Sequence, residues 1–498
     1  MRNTVSVAAS AAVFILGAAI ISASDATYAQ APAAAQAVPT FTKDVAPILY
    51  KNCTSCHRPG EIGPMSLLTY EDARPRAKDI RNKVGDGVMP PWHADKAHGK
   101  FANDRSLSDD DRSVLLRWAN NGAPKGDPKD LPPAPTYVDG WSLGQPDAVM
   151  QIPVDYKVPA DGFVEYEYFE IPTNFTEDKW VQGLEVRPGA RAVVHHVIVT
   201  ARPPQPERRP TGFRMAQGMD IPRGQTGSGE QDATHGKGQS LFPAPQRLGA
   251  FIGGFAPGTS ASRFEPGSAV LIRAGSTIVL QMHYTTNGKE AIDRTKIGFF
   301  FARQPPEREL RLGTLINGQL KIPAGEKDYS IAAEMTTTAD VTLRSLLPHT
   351  HLRGKSWEYT VTYPDGRSEV ILAVPKYDFN WQTDYVFAEP LKLPAGTKIR
   401  AVAHYDNSAA NTANPDPTVA VSWGDQTWEE MMFTGIVYSI DGVKPGTVLL
   451  STRNRNVPVL NEIEVSPGDG LWALCETRLR VLQGAVGASA RPRGRQRP

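Results

Sequence analysis

The chain contains ten histidines and three cysteines, and most of them fall in close groups. Cys53 and Cys56 are followed at once by His57. In this C-x-x-C-H pattern two thiols can bind the vinyl groups of haem, and the imidazole can bind its iron. A redox C-x-x-C pair or half of a zinc site needs no adjacent histidine, and the sequence has no second cysteine pair to complete a zinc tetrahedron. The pattern therefore predicts covalently bound haem c.

The iron of such a haem takes a sixth ligand from further along the chain. Met89 is the first candidate, because two prolines follow it and would keep its thioether in a loop. Met65 and His93 are the alternatives. Methionine ligation raises the haem potential, which suits an electron carrier. Over residues 40–130 the chain resembles the class I cytochrome c domains.

Five further histidines form three groups in the second part of the chain: His195 with His196, His283, and His349 with His351. Residues two apart in a strand project from the same face, so the last pair can chelate one metal ion. The adjacent pair would point to opposite faces unless a bulge or a strand end rotates one residue. Imidazole suits copper, zinc, iron and nickel, whereas an added thioether favours Cu(I). Met431 or its neighbour Met432 could supply that sulfur.

From about residue 145 to 465 the chain resembles the copper type II, ascorbate-dependent monooxygenases, the family of peptidylglycine hydroxylase and dopamine β-hydroxylase. The matching segments are Val194-His195-His196-Val197, His283-Tyr284, His349-Thr350-His351 and Glu430-Met431. The resemblance implies two copper ions. One accepts electrons and takes His195, His196 and His283; the other binds oxygen and takes the catalytic set His349, His351 and Met431. His404 is interpreted as structural.

Several positions depart from the family pattern. Leu347 stands where the peptide hydroxylase has an arginine that grips the substrate carboxylate. Phe433 and Gly435 replace the aromatic and amide positions after the methionine. The disulfides of the animal enzymes are also missing, because Cys475 has no unclaimed partner cysteine. We therefore expect a small, apolar substrate rather than a peptide that ends in glycine.

The segments that contain the haem motif and the histidine groups differ in the secondary structure that their sequences predict. Residues 40–130 show helical patterns, including a capped helix predicted between Ser108 and Gly122. After a Pro-rich linker at 131–144 the chain consists of short β-rich runs. The expected fold is a small all-α cytochrome c domain followed by two all-β jelly-roll or sandwich domains, over residues 145–320 and 321–465.

The two ends of the sequence are expected to lie outside the folded domains. Residues 1–29 are typical of a cleaved signal peptide, which predicts that the mature protein is periplasmic or secreted; an uncleaved N-terminal anchor is the alternative. No later run approaches about twenty apolar residues, so no membrane span is expected. Residues 466–498 are expected to be disordered. The formal net charge of +1 gives no reason to expect a nucleic-acid partner.

These features together predict a copper monooxygenase that hydroxylates a C–H bond of a small molecule with dioxygen. Each copper can store one electron, and we expect the haem to pass electrons from an external donor to the copper site of His195, His196 and His283. The main alternative is a non-catalytic haem–copper electron-transfer or redox-sensing protein. A zinc hydrolase on a β sandwich is a second alternative, and it would have no thioether ligand.

Overall fold

The structure is a computed structural model that describes residues 37–137, 140–205, 212–216, 250–256, 261–424, 426–450 and 463–465. The predicted signal peptide, most of a Gly- and Pro-rich stretch at 203–262, and the predicted disordered tail with Cys475 lie outside these residues. All described helices precede residue 131 and all described strands follow residue 147, so the described chain is mostly β-sheet. No described helix combines the length and apolar character needed to cross a bilayer.

The helical region is a group of short helices around a small apolar core. It comprises a π-helical turn at Phe41–Val45, α1 (Ala46–Asn52), α2 (Tyr70–Ala73), α3 (Ala77–Gly85) and α4 (Asp109–Asn120), with 3-10 turns at Arg74–Arg76 and Pro128–Asp130. Ser108 caps α4, because its side chain accepts a hydrogen bond from the backbone N–H of Asp111. Leu115 and Trp118 of α4 are buried against Leu49 of α1 in this core. The predicted capped helix is therefore confirmed.

The first β half contains two sheets that share one apolar core. Its strands are β1 (Ala148–Gln151), β2 (Tyr156–Val158), β3 (Glu167–Pro172), β4 (Lys179–Arg187), β5 (Val194–Arg202), β7 (Ala250–Phe255), β8 (Ser262–Arg263), β9 (Ser268–Ile272), β10 (Thr277–Tyr284), β11 (Ala291–Asp293), β12 (Lys296–Phe301) and β13 (Arg308–Glu309). One sheet has the order β1-β12-β4-β9-β13, and the other has the order β3-β10-β5-β7. The pairing is antiparallel except between β9 and β13, as alternating short strands predict.

The second β half repeats this arrangement around a core of its own. Its strands are β6 (Phe213–Met215), β14 (Arg311–Ile316), β15 (Lys321–Ile322), β16 (Tyr329–Thr337), β17 (Val341–His349), β18 (Gly354–Thr362), β19 (Ser368–Val374), β20 (Tyr385–Leu393), β21 (Lys398–Tyr405), β22 (Val421–Ser422), β23 (Phe433–Ile440), β24 (Val448–Leu450) and β25 (Ile463–Val465). The two larger sheets have the orders β14-β23-β17-β20 and β19-β18-β21-β16-β6. Strand β6 joins the second half although it precedes β7 in the chain.

Residues 92–105 lie between α3 and α4 in sequence but pack into the second β half. Trp92 is buried in the core of that half, with its ring centroid 5.1 Å from that of Tyr385. Phe101 forms an isolated antiparallel bridge with Phe387 of β20, and their rings lie 5.4 Å apart. The apolar residues of this segment have no helical periodicity that would place them in the helical core. The chain thus passes from α3 to the second β half and returns to the helical core at α4 before the first β half begins.

Candidate metal centres

The first group of histidines lies on two neighbouring strands. His196 of β5 and His283 of β10 face each other in the antiparallel register. The register then jumps, because the next residue of β10, Tyr284, pairs with Val194 and leaves His195 as an extra residue in β5. Such a β-bulge rotates the extra side chain, so that two consecutive residues can face the same side. The convergence of His195 and His196 was predicted only on the condition of a bulge, and the bulge is present.

The three imidazoles of this group approach one another through their Nδ1 atoms. One ligand atom from each histidine lies within 4.8 Å of the other two. The Nδ1 atom of His196 is 3.3 Å from Nδ1 of His195 and 3.3 Å from Nδ1 of His283. Three nitrogens at about 2.0 Å from one ion are separated by about 3.3–3.5 Å in tetrahedral or trigonal geometry. The group could therefore hold a metal ion with its side chains close to their present positions.

Burial keeps these imidazoles neutral. It lowers the pKa of His195 to about 4 and the pKa values of His196 and His283 well below the ordinary range, with the neighbouring histidines adding to the effect. A neutral imidazole has a lone pair for a metal, whereas an imidazolium has none. Two aromatic rings cover the group: Tyr166, 4.8 Å from the ring of His283, and Phe379, stacked 5.1 Å from the ring of His195.

The second group lies at the end of β17. His349 is the last residue of that strand, His351 follows two residues later, and the two ring centroids are 5.2 Å apart. Nδ1 of His349 donates to the side-chain oxygen of Gln382 at 2.9 Å, and Nδ1 of His351 donates to the backbone oxygen of Glu429 at 3.1 Å. Each bond places the proton on Nδ1 and leaves the Nε2 lone pair for a metal.

The Nε2 atom of His351 is buried without a hydrogen-bond partner in the described part of the chain. A buried polar atom without a partner is costly, so such an atom calls for a missing ligand. Burial also lowers the pKa of His349 to about 4 and that of His351 to about 3, so both rings are neutral at neutral pH. The Nε2 atom of His195 is also buried and has no hydrogen-bond partner among the described residues, but the atom that this histidine turns toward His196 is Nδ1.

The two candidate sulfur ligands lie beside the second group. Phe433 of β23 pairs with His349, so the residues just before it run past the end of β17. Met431 is 7% exposed and Met432 is fully buried. The hydroxyl of Tyr405 donates to the backbone oxygen of Met431 at 2.8 Å. The backbone of Met431 therefore lies near that of His351, since both donate to the same oxygen of Glu430, and both methionine side chains are shielded from water and stay candidates.

The two groups are direct neighbours. The rings of His196 and His349 meet edge to face with centroids 6.4 Å apart. Phe379 contacts both groups, because its centroid also lies 6.1 Å from that of His351. All five predicted ligand histidines are thus brought together from three strands. His404 lies apart, with a half-exposed ring whose Nδ1 is 3.2 Å from a carboxylate oxygen of Asp328.

The residues of the C-x-x-C-H pattern fit covalent haem. Cys53 and Cys56 are free thiols. Nδ1 of His57 donates to the backbone oxygen of Met65 at 3.3 Å, which leaves Nε2 for an iron atom. A Cβ atom at Gly63 would come 2.6 Å from the backbone oxygen of Cys56 and 2.7 Å from Nδ1 of His57, so only glycine allows the chain to pass this close.

The helical region meets the β-sheets next to the histidines. A cleft of about 370 Å³ separates Asp86, Gly87, Val88 and His93 from residues of the second β half that include 376–380. Arg191, four residues before His195, forms an ion pair of 3.0 Å with Glu61 in the loop after His57. The predicted sixth ligand Met89 follows Val88, so it lies in the chain segment that borders this cleft.

Comparison of the chain with known families, sequences and structures gives no match that bears on these sites. No protein-family profile matches the chain, and no curated protein sequence is similar to it. A solved structure of the T13 IBDV viral particle aligns with 59% of this chain and 71% of its own at 10% identity, with a TM-score of 0.16. The dimeric latent PorU from Porphyromonas gingivalis aligns with 57% of this chain and 26% of its own at 10% identity, with a TM-score of 0.15. Similarity this low supports no argument about fold or function.

Three residues of the site had no signal in the sequence. Phe379 and Gln382 lie in a loop before β20, and they reach the histidines only through the tertiary fold. Trp92 is a core residue of the second β half, and no local pattern around it predicts that position. Periodicity and motif spacing report local structure, so long-range contacts of single loop residues escape them.

Proposed function

We propose that this protein is a copper monooxygenase that hydroxylates a C–H bond of a small, apolar molecule with dioxygen and receives its electrons through a fused c-type haem. One observation carries the proposal: five neutral histidines, four of them buried and His195 partly buried, form two adjacent groups, and a pair of buried methionines follows Glu430, whose carboxylate is bonded to one of these groups. An all-nitrogen set next to a set with a sulfur donor is suited to copper. A zinc hydrolase would use neither two neighbouring sites of this kind nor a thioether.

Copper ions held in the two groups would each store one electron, and one of them would bind dioxygen. The side chains would prepare the sites for this role. Gln382 and the Glu429 backbone oxygen fix the orientations of His349 and His351, so neither ring turns away from a common ion. Tyr166 and Phe379 cover the group of three histidines and exclude water from one side of it. The edge contact between His196 and His349 keeps the two centres adjacent.

The helical region would supply the electrons. We propose that Cys53, Cys56 and His57 hold haem c in a class I cytochrome c fold, with Met89 as the sixth ligand, and that an external donor reduces it. The position of this region supports the role, because the cleft beside Val88 is lined on its far side by Phe379, which stacks on His195. We further propose that both β halves are jelly rolls and that the protein works in the periplasm or outside the cell.

The proposal is tested on full-length protein matured in a host that attaches haem c. We expect one covalent haem and two copper ions per chain by metal analysis, and a Cu–S contribution in the X-ray absorption spectrum of the reduced protein. Incubation with labelled dioxygen, a reductant and a panel of small apolar molecules is expected to place label in a hydroxylated product, detected by mass spectrometry.

The Met431→Ile variant provides the decisive comparison. It is expected to keep the haem spectrum and the copper of the three-histidine group while losing the Cu–S contribution and the hydroxylation. Met432→Ile is the matched control and is expected to keep both. Hydroxylation that persists in both variants would defeat the assignment. Full copper loading without any labelled product would favour the electron-transfer or sensing alternative.

A further inference from the structure

A single buried carboxylate joins the two chain segments that supply the second metal centre. Glu430 has no exposed surface, and its side chain accepts three hydrogen bonds from backbone N–H groups. One carboxylate oxygen accepts from His351 at 2.8 Å and from Met431 at 3.2 Å. The other accepts from Arg353 at 2.6 Å. The carboxylate therefore holds the segment that follows β17 and the segment that precedes β23 in one fixed relation.

The surrounding contacts make this connection rigid. The neighbouring residue Glu429 accepts from the His351 ring through its backbone oxygen, and Trp428 accepts from the Arg353 guanidinium at 2.8 Å through its own. The backbone of Glu430 is held as well, because its N–H donates to Ser422 and its carbonyl accepts from Gly424. The side chains of His351, Arg353 and Glu430 therefore cannot take another position without breaking a buried hydrogen bond.

We propose that Glu430 is a positioning residue for the second metal centre: its carboxylate sets the distance between the His351 imidazole and the Met431 thioether so that both can bind one ion. This inference rests on the proposed function, because it assumes a metal at that centre. A carboxylate suits the role, since its two oxygens lie within hydrogen-bond distance of three backbone N–H groups that can only donate. The role is distinct from ligation, because the carboxylate is already occupied by the backbone.

The isosteric variant Glu430→Gln tests the inference. A glutamine amide has one accepting oxygen and one donating nitrogen, so in either orientation at least one backbone N–H faces another donor. We expect the variant to retain the copper of the three-histidine group but to bind Cu(I) at the second centre roughly tenfold or more weakly, because one buried hydrogen bond is replaced by a repulsive donor–donor contact. The Cu–S contribution to the X-ray absorption spectrum is expected to fall with it.

A matched control separates positioning from stability. Glu185 is also a buried carboxylate that accepts from two backbone N–H groups, those of Ser142 and Leu143, at 3.0 and 3.1 Å. It lies in the first β half, on β4 rather than on a strand that carries a histidine of either group. Glu185→Gln should therefore lower the midpoint of urea unfolding while leaving both copper affinities and the Cu–S contribution unchanged.

The outcomes distinguish this inference from the proposed function. If the wild-type protein binds no copper at the second centre, the proposed function fails. If the wild-type protein binds two copper ions and Glu430→Gln keeps both with unchanged affinity and Cu–S signal, only the role of Glu430 is refuted. Should the glutamine variant not accumulate as folded protein, Glu430→Asp replaces it, because the shorter side chain keeps the charge but cannot reach all three N–H groups. Unchanged second-centre affinity in that variant would equally refute the role.

Discussion

Replacement of Trp92 by alanine is expected to destabilise the second β half, although Trp92 lies between α3 and α4 in sequence. Its indole is 9% exposed and packs edge to face against Tyr385 and Phe101, at 5.1 and 5.8 Å between centroids. Phe101 in turn lies 5.5 Å from Tyr385, so the three rings form a closed cluster on β20. Removal of the indole leaves two aromatic rings without their partner.

The size of the effect follows from this packing. Truncation of a buried tryptophan to alanine lowers the free energy of unfolding by about 3–5 kcal/mol, and each lost aromatic pair accounts for about 0.5–1.5 kcal/mol of this. Trp92 lies at the rim of the core, where water can enter part of the space, so we expect about 3 kcal/mol. Trp118→Ala is the matched control, because Trp118 is fully buried in the helical core, 6.3 Å from Phe41. Trp118→Ala should lower the free energy of unfolding by a similar or larger amount.

Hydrogen exchange followed by mass spectrometry shows where each variant loosens the protein. In Trp92→Ala, amides in β19 and β20 are expected to exchange faster, while α3 and α4 change little. In Trp118→Ala the pattern should be reversed. If Trp92→Ala accelerated exchange only in α3 and α4, the assignment of residues 92–105 to the second β half would be wrong.

Three further predictions concern single side chains near the histidines. Burial raises the pKa of Asp384 to about 6. Between about pH 4 and pH 6 the folded chain therefore holds a proton that the unfolded chain releases, and the free energy of unfolding falls as pH rises. Measured by urea unfolding, Asp384→Asn should raise the free energy of unfolding by about 1–3 kcal/mol at neutral pH and change it little near pH 4. Gln382→Leu removes the acceptor for His349 and should weaken Cu(I) binding at the second centre by about tenfold in a chelator competition; equal affinity would contradict the role of this hydrogen bond. Phe379→Ala uncovers His195 and should speed copper loss to a chelator from the three-histidine group, whereas an unchanged rate would show that the ring does not shield it.

Much of the local structure could be predicted from the sequence. The helix after Ser108 and the β-rich texture beyond residue 147 follow from capping and strand propensity, which act over a few residues. The histidine spacings pointed to metal binding for the same reason: ligands two apart, or adjacent at a bulge, are set by strand geometry.

The location of the bulge and the partners of the histidines could not be predicted. The shift at His195 depends on how β5 pairs with β10, about eighty residues later in the chain, and no pattern within β5 alone encodes it. Gln382 and Glu430 likewise act across long sequence separations. A buried glutamine or glutamate looks in sequence like any surface residue, and only its hydrogen-bond partners give it a role.

The loop at residues 376–382 connects the three parts of the site. Gln382 at its end fixes His349 of the second group, Phe379 in its middle stacks on His195 of the first, and Lys376 and Asp378 line the cleft against the helical region. A displacement of this loop would therefore change both histidine groups and the cleft at once. In the proposed function, electrons from the haem must reach one centre and oxygen chemistry must follow at the other. This loop contacts both histidine groups and lines the cleft against the helical region, so a movement of the helical region against it would affect both centres together.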